Sequence, residues 1–183
     1  MPDTLRLGAA LALTLLGGCT LPGPLAPQEW VSVSGNVFEP ELPGARDYQD
    51  AAGWSLGGGL DLNADRVAVA WEVEAAWSQH DVIDGFEELN NDYDIVRVST
   101  GLRLHSRLEA LPLGVYARGG LEWRDESSDS GLIVGRDELG SYFGVGLEWW
   151  YTPFAALGPL VGWSFDGDGQ LSETRIGLAV RFY

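Results

Sequence analysis

The chain has 183 residues, a formal net charge of −16, one cysteine, 25 glycines and eight tryptophans. This is the length of a single domain with a short leader. The charge excludes a phosphate-neutralising basic patch, and with it nucleic-acid binding, as well as simple attraction to anionic membrane surfaces. A lone Cys19 excludes an intramolecular disulfide, and so much glycine and aromatic side chain speaks for strands with tight turns and interfacial rings rather than soluble helices.

Residues 1–18 read as a targeting segment. Leu7 to Leu16 is an apolar run of signal-peptide length, too short for a spanning helix. Leu16-Gly17-Gly18-Cys19 resembles the bacterial lipobox, in which small residues precede a cysteine that is lipidated and becomes the new N-terminus. An ordinary signal peptide with an incidental cysteine is the alternative. Residues 19–28, with Pro22, Pro24 and Pro27, then form an extended tether. No later stretch reaches the ~18 apolar residues of a transmembrane helix, so further insertion must be by strands.

From residue 29 to 183 the chain reads as one β domain. The first strand, about 30–38, sets Val31, Val33 and Val37 against Ser32, Ser34 and Asn36. After a loop with Pro40, Pro43, Gly44 and Asp47 comes the second, about 52–62. It places Trp54, Leu56, Leu60 and Leu62 opposite Ser55, Gly57, Gly59 and Asp61. A short turn leads to the third, about 67–78, with Val67, Val69, Trp71, Val73, Ala75 and Trp77 in an unbroken apolar row. Glu72 and Glu74 share its other face, because a strand repeats every two residues.

A long acidic loop, about 79–92, precedes the fourth strand, about 93–104, where Val96, Val98, Leu102 and Leu104 oppose Arg97, Ser99 and Arg103. A turn from His105 to Pro112 leads to the fifth, about 113–124, whose polar face carries Tyr116, Arg118, Glu122 and Arg124 among glycines. Another long loop, about 125–138, separates it from the sixth, about 139–151. There Phe143, Val145, Leu147, Trp149 and Tyr151 oppose Tyr142, Gly144, Gly146 and Glu148. Thr152-Pro153 makes a tight turn into the seventh, about 154–165, where Pro159 lacks a ladder donor and predicts a bulge. The last strand, 175–183, alternates Ile176, Leu178, Val180 and Phe182 with Arg175, Gly177, Ala179 and Arg181.

Eight strands whose connections alternate long and short predict an all-β, eight-stranded antiparallel up-and-down transmembrane β-barrel. An even strand number puts both termini on the short-turn side, which agrees with a lipidated Cys19 in the inner leaflet. Trp54, Trp77, Trp123 and Trp163 lie next to long loops, and Trp149, Tyr151 and Phe182 next to short turns or the terminus. Two aromatic girdles at two heights suit two membrane interfaces. Facing inward, Glu72, Glu74, Glu122 and Glu148 share a lumen with Arg97, Arg103, Arg118, Arg175 and Arg181. Buried charges must pair, and an eight-stranded barrel is just wide enough for side chains to fill, so a plugged interior is expected. A soluble sandwich or lipocalin-like barrel with the rows inverted is the competing fold; the girdles and alternating loops favour the membrane.

The segments 114–121, Tyr142 to Glu148 and Gly177 to Tyr183 resemble the small outer-membrane barrels of the OmpA transmembrane-domain and OmpX kind, over about residues 29–183. The resemblance implies insertion by the barrel-assembly machinery through a C-terminal strand signal. The sequence departs from that pattern in that Tyr183 lies one residue beyond the in-register Phe182. No peptidoglycan-binding domain follows, so the anchoring role of full-length OmpA-type proteins is not expected.

Ser78 and His80 share a strand face with Asp81 and Asp84 nearby, which is the raw material of a nucleophile–base pair. Parity turns both into the lumen, away from acyl chains, and the order differs from the His-x-Ser of the lipid A deacylase barrels. His105-Ser106 is expected to be solvated at the turn. Asp166-Gly167-Asp168-Gly169 lacks the distal ligands of a calcium loop and reads as a polar hairpin tip. A weaker reading has Asp81, Asp84, Glu87, Glu88, Asp125 and Glu126 share divalent ions with lipopolysaccharide phosphates. No catalytic residue, resident metal or cofactor is expected. The expected function is an outer-membrane barrel with a structural or surface-interaction role, in contact with lipids and lipopolysaccharide. A narrow channel is the alternative, and a lipid-modifying barrel enzyme the third reading.

Overall fold

Strict alternation of apolar and polar side chains holds the backbone extended and gives each strand two chemically different faces. The computed structural model describes residues 29–40, 47–48, 50–62, 67–84, 87–107, 111–128, 136–152 and 154–183. Residues 1–28, with Cys19 and the tether, lie outside the described residues. The strands are β1 (Glu29–Pro40), β2 (Asp47–Tyr48), β3 (Ala51–Asp61), β4 (Val67–Asp84), β5 (Glu87–Arg107), β6 (Leu113–Ser128), β7 (Arg136–Thr152), β8 (Ala155–Phe165) and β9 (Leu171–Phe182).

Each long strand pairs antiparallel with its chain neighbour, and β1 pairs with both β3 and β9. The ring is therefore closed at eight strands, as the sequence predicts, and the sheet has no free edge along its staves. The two-residue β2 stands outside the ring, pairing Asp47 with Ile83 and Tyr48 with Val82 on β4.

The strands differ from the sequence reading mainly in length. The segment 79–92, expected as an acidic loop, continues β4 and β5 as a ladder, with Asp84 opposite Glu87 and a register shift between Asp81 and Val82. Likewise β6 and β7 run on through the expected loop, pairing Asp125 with Asp137 and Glu126 with Arg136. Apolar periodicity stops where the apolar belt stops, but hydrogen-bonded pairing does not. The wall β4–β7 thus projects past the shorter β1, β3, β8 and β9.

The bulge predicted at Pro159 falls elsewhere. Pro159 stays in register opposite Leu178, and the β7–β8 shift lies between Trp150 and Thr152, at the tight turn. A second shift, at Ser164/Phe165, leaves Ser172 as an extra residue on β9. It turns both Ser172 and Glu173 inward, each 2% exposed.

The side-chain distribution is inverted relative to a soluble core. Val33, Val37, Trp54, Leu102, Leu104, Val115, Leu121, Leu147, Ile176 and Leu178 are exposed, while six arginines and seven acids among the described residues are buried. On β6 the outward apolar row runs from Leu113 to Trp123, roughly 33 Å along the strand and ~25 Å at a tilt of about 40°.

Glycine makes room inside for aromatic rings. Tyr116 and Tyr142 are buried as the sequence parity places them, and Trp30 and Phe38 on β1, which the sequence reading did not place, are buried with them. A Cβ on Gly59 would stand 2.4 Å from the Trp30 ring, and one on Gly146 2.4 Å from the Tyr116 ring. Both rings fit against the neighbouring strand only because that strand has no side chain there.

Candidate functional site: the charged lumen

The inward charges gather in three tiers along the axis. At the long-loop end, Arg97 is bonded to Glu173, and its Nη1 donates to Ser78 Oγ at 2.9 Å. Arg124 reaches Glu126 at 3.6 Å and Glu122 at 4.0 Å, and donates to Ser172 Oγ at 2.9 Å. Phe38 lies 4.4 Å from the Arg97 guanidinium, covering it with a ring face.

In the middle tier Glu74 accepts from Arg118 at 2.9 Å and from Arg175 at 2.5 Å. Arg118 also lies 3.6 Å from Glu72, which accepts from the Tyr142 hydroxyl at 3.0 Å. At the short-turn end, Arg103 donates to Glu148 at 2.6 Å, and Arg181 bonds the same oxygen. His105 lies 3.2 Å from Asp61.

All nine charged lumen residues named from the sequence are therefore buried and within these tiers. Sequence reasoning missed Glu173 and Glu126, and left Asp61 and Arg124, which it set on inward faces, out of the lumen charges. Glu173 shares the parity of Arg175, but the strand was begun two residues too late to include it. His105 is corrected: it is 7% exposed inside the barrel rather than solvated at a turn. β5 continues to Arg107, so the parity of Arg97 and Arg103 carries it inward.

Ser78 Oγ and His80 Nε2 are 2.9 Å apart, at 0% and 1% exposure. The Arg97 N–H on the same hydroxyl oxygen draws electron density from it and opposes nucleophilic character. Asp125 and Glu126 are brought to opposite faces of β6: Asp125 points outward and Glu126 into the lumen, so they do not form one ligand set. The side chains of residues 81–93 lie outside the described residues. Asp166 Oδ1 accepts from the N–H of Asp168 at 3.0 Å and of Gln170 at 2.8 Å, with Gly169 at φ 80°. That carboxylate is spent on closing the hairpin.

Outside, Trp54, Trp123, Trp149, Tyr151 and Phe182 are exposed, while Trp77 and Trp163 are partly exposed. Trp163 stacks on Phe143 at 5.9 Å between centroids. The extra Tyr183 has a place: its N–H donates to Phe154 O at 2.9 Å and its ring lies 4.5 Å from Trp150. Beyond the outward apolar row, Asp125 faces Asp137 across β6–β7. Partial burial, together with hydrogen bonding to and repulsion from the Asp137 carboxyl, holds the Asp125 pKa above the usual aspartate value.

A closed, all-antiparallel barrel of eight strands, apolar outside and ionic inside, is the fold of the small bacterial outer-membrane barrels. Three solved structures of that class are similar to this chain. Ail, the attachment invasion locus protein of Yersinia pestis, is 17% identical with a TM-score of 0.56, over 85% of this chain and 97% of that one. Neisserial surface protein A is 13% identical with a TM-score of 0.59, over 84% and 94%. The outer membrane protein OprG from Pseudomonas aeruginosa is 15% identical with a TM-score of 0.59, over 87% and 94%. At these identities the likeness is one of fold. No family model and no curated protein matches the sequence.

Proposed function

We propose that residues 29–183 form an integral outer-membrane barrel whose outward rows hold it in lipid, whose ion pairs keep its lumen closed, and whose β4–β7 hairpins present an acidic surface outside. The observation that carries this reading is the inverted distribution: large apolar side chains exposed around the ring, arginine and glutamate buried within it. In water that arrangement would leave an apolar surface far larger than monomeric soluble proteins tolerate. In lipid it is the low-energy one. Trp54, Trp77, Trp123 and Trp163 then form the outer girdle, and Trp149, Tyr151 and Phe182 the periplasmic one, in contact with lipids and lipopolysaccharide. Delivery follows from a cleaved leader and lipidation of Cys19, and insertion from the barrel-assembly machinery acting on the last strand. The expected role is structural or surface-interacting, without catalysis.

Electrostatics narrows the partner. One structure of Ail holds the heparin analogue sucrose octasulfate. Here Asp137 and Asp168 are exposed at the long-loop end and Asp125 is partly so, an arrangement that repels a sulfated polyanion. We therefore expect no heparin-type ligand. The reading as a whole is tested by expression in a Gram-negative host. Recovery in the outer-membrane fraction with heat-modifiable migration on SDS gels is the expected result; a soluble periplasmic protein with unchanged migration would overturn it. For the lipid anchor, acyl mass on wild type and none on Cys19→Ala is expected.

A further inference from the structure

The tier of Arg103, Glu148 and Arg181 lies beside the short-turn mouth of the barrel. Arg181 is one residue from the end of β9, and Glu148 is four from the end of β7. Side chains so near a mouth would ordinarily meet solvent. Yet Arg103, Glu148 and Arg181 are 1%, 4% and 5% exposed, more deeply buried than Glu74, Arg118 and Arg175 in the middle tier. They are covered from the short-turn side.

Parity supplies the cover. The inward row of β9 runs through Arg175, Gly177, Ala179 and Arg181, and its next member is Tyr183. Phe182 is the last residue in the ladder, opposite Val31 on β1 and Ala155 on β8. Past it, the Tyr183 N–H donates to Phe154 O at 2.9 Å, which ties the residue to the β7–β8 turn. The Tyr183 ring lies 4.5 Å from Trp150, and its hydroxyl donates at 3.5 Å to Glu148 Oε1, the oxygen that also takes Arg103 and Arg181. Trp150 follows Glu148 on β7, and its N–H donates to Pro112 O at 2.8 Å. A Cβ on Gly114 would stand 3.6 Å from Trp150 Nε1, so the indole reaches across to β6. The two rings therefore span β6, β7 and β9 against the shared carboxylate.

We propose that Tyr183 is a lid on the short-turn end of the lumen, its ring against Trp150 keeping solvent from the Arg103–Glu148–Arg181 tier. Water and salt at that tier would screen the ion pairs, so the seal preserves them. Tyr183 lies past the last ladder pair, so opening the lid breaks no strand pairing and the ring of strands stays closed. The inference rests on the closed-lumen reading and names the side chain that closes one end of it.

The test places a thiol behind the lid, in the full chain folded in detergent with Cys19→Ala removing the native cysteine. Ala156 is buried, faces Trp150 and Arg181 across its two ladders, and lines a cavity of about 10 Å³ with Glu148 and Arg181 among others. Ala156→Cys should react slowly with sulfonatoethyl methanethiosulfonate, a water-soluble thiol reagent, while Tyr183 is in place. Tyr183→Ala should speed the reaction about tenfold or more, because a covered thiol waits on local opening. Tyr183→Phe keeps the ring and should stay slow. Equal rates with Tyr183 and with Tyr183→Ala would overturn the proposal. So would labelling of Ala156→Cys, with Tyr183 present, as fast as that of Asp168→Cys on the exposed hairpin tip, a comparison that needs no lid variant. Ala76→Cys, buried at the height of Arg97, separates the two readings. If it stays protected while Ala156→Cys labels fast, the lid alone fails; if both label fast, the closed lumen fails with it.

Discussion

Arg175 on β9 meets Glu74 on β4 across the lumen, 2.5 Å between Nη1 and Oε1, although the two are 101 positions apart in the chain. The strands are not neighbours: β9 pairs with β1 and β8, and β4 with β2, β3 and β5. Glu74 also holds Arg118 on β6, so a single carboxylate ties three staves of the barrel together. Backbone pairing closes the ring, and this contact fills it.

Glu74→Gln keeps the volume but leaves Arg118 and Arg175 short of a buried counter-charge. Breaking such a pair from one side costs about 3–5 kcal/mol. Urea unfolding of the detergent-folded barrel should show a loss of that order, and a loss below about 1 kcal/mol would mean that water already shares the site.

Tyr116 lies where a Cβ on Gly146 would stand 2.4 Å from its ring. Gly146→Ala should therefore destabilise by about 1–3 kcal/mol through overpacking. In a Tyr116→Leu background the same substitution should cost clearly less. Additive effects in that double-mutant cycle would contradict the ring-over-glycine contact.

The Asp125 carboxyl is held above the ordinary aspartate value opposite Asp137. The folded hairpin therefore binds a proton more tightly than the open one. Its contribution to stability is full below the unfolded pKa, near ~4, and is lost as pH rises through the raised folded value. Amide exchange in residues 124–128 should accelerate across that window, and Asp137→Asn should flatten the dependence. A profile that slows with rising pH, after correction for intrinsic exchange, would reverse the assignment.

With Arg97, Arg118 and Arg103 each engaged across the lumen, wild-type barrels in planar bilayers should give no reproducible open steps. Steady unitary conductance would show that the ion pairs part on the recording timescale and would favour a channel.

The apolar rows made the ring and its polarity legible. Val67 to Trp77 and Leu113 to Trp123 could point only one way, and parity then carried Glu72, Glu74 and Arg118 inward. What parity could not reach lay past the apolar belt. The ladder continuing β4 and β5 past Ser78 and Tyr93 is held by backbone bonds among residues in which polar and apolar side chains do not alternate, which leaves no periodic trace. Glu173 has the parity of Arg175 but lies before the apolar row that begins at Ile176, so no periodic signal carried the strand back to it. Trp30 and Phe38 escaped because an aromatic in a small lumen needs a facing glycine, and strand partners are not written in a single strand. Cross-strand register supplied them: Trp30 lies opposite Gly59.

The central claim is that the barrel is apolar outside and ionic within, and single-tryptophan proteins test it most directly. In liposomes, a protein retaining only Trp71, partway along the outward row of β4, should be strongly quenched by lipids brominated on the acyl chains. One retaining only Trp30, buried in the lumen beside Arg103 and Arg181, should be little affected. Strong acyl-bromine quenching of Trp30, with Trp71 instead open to aqueous iodide, would contradict the account.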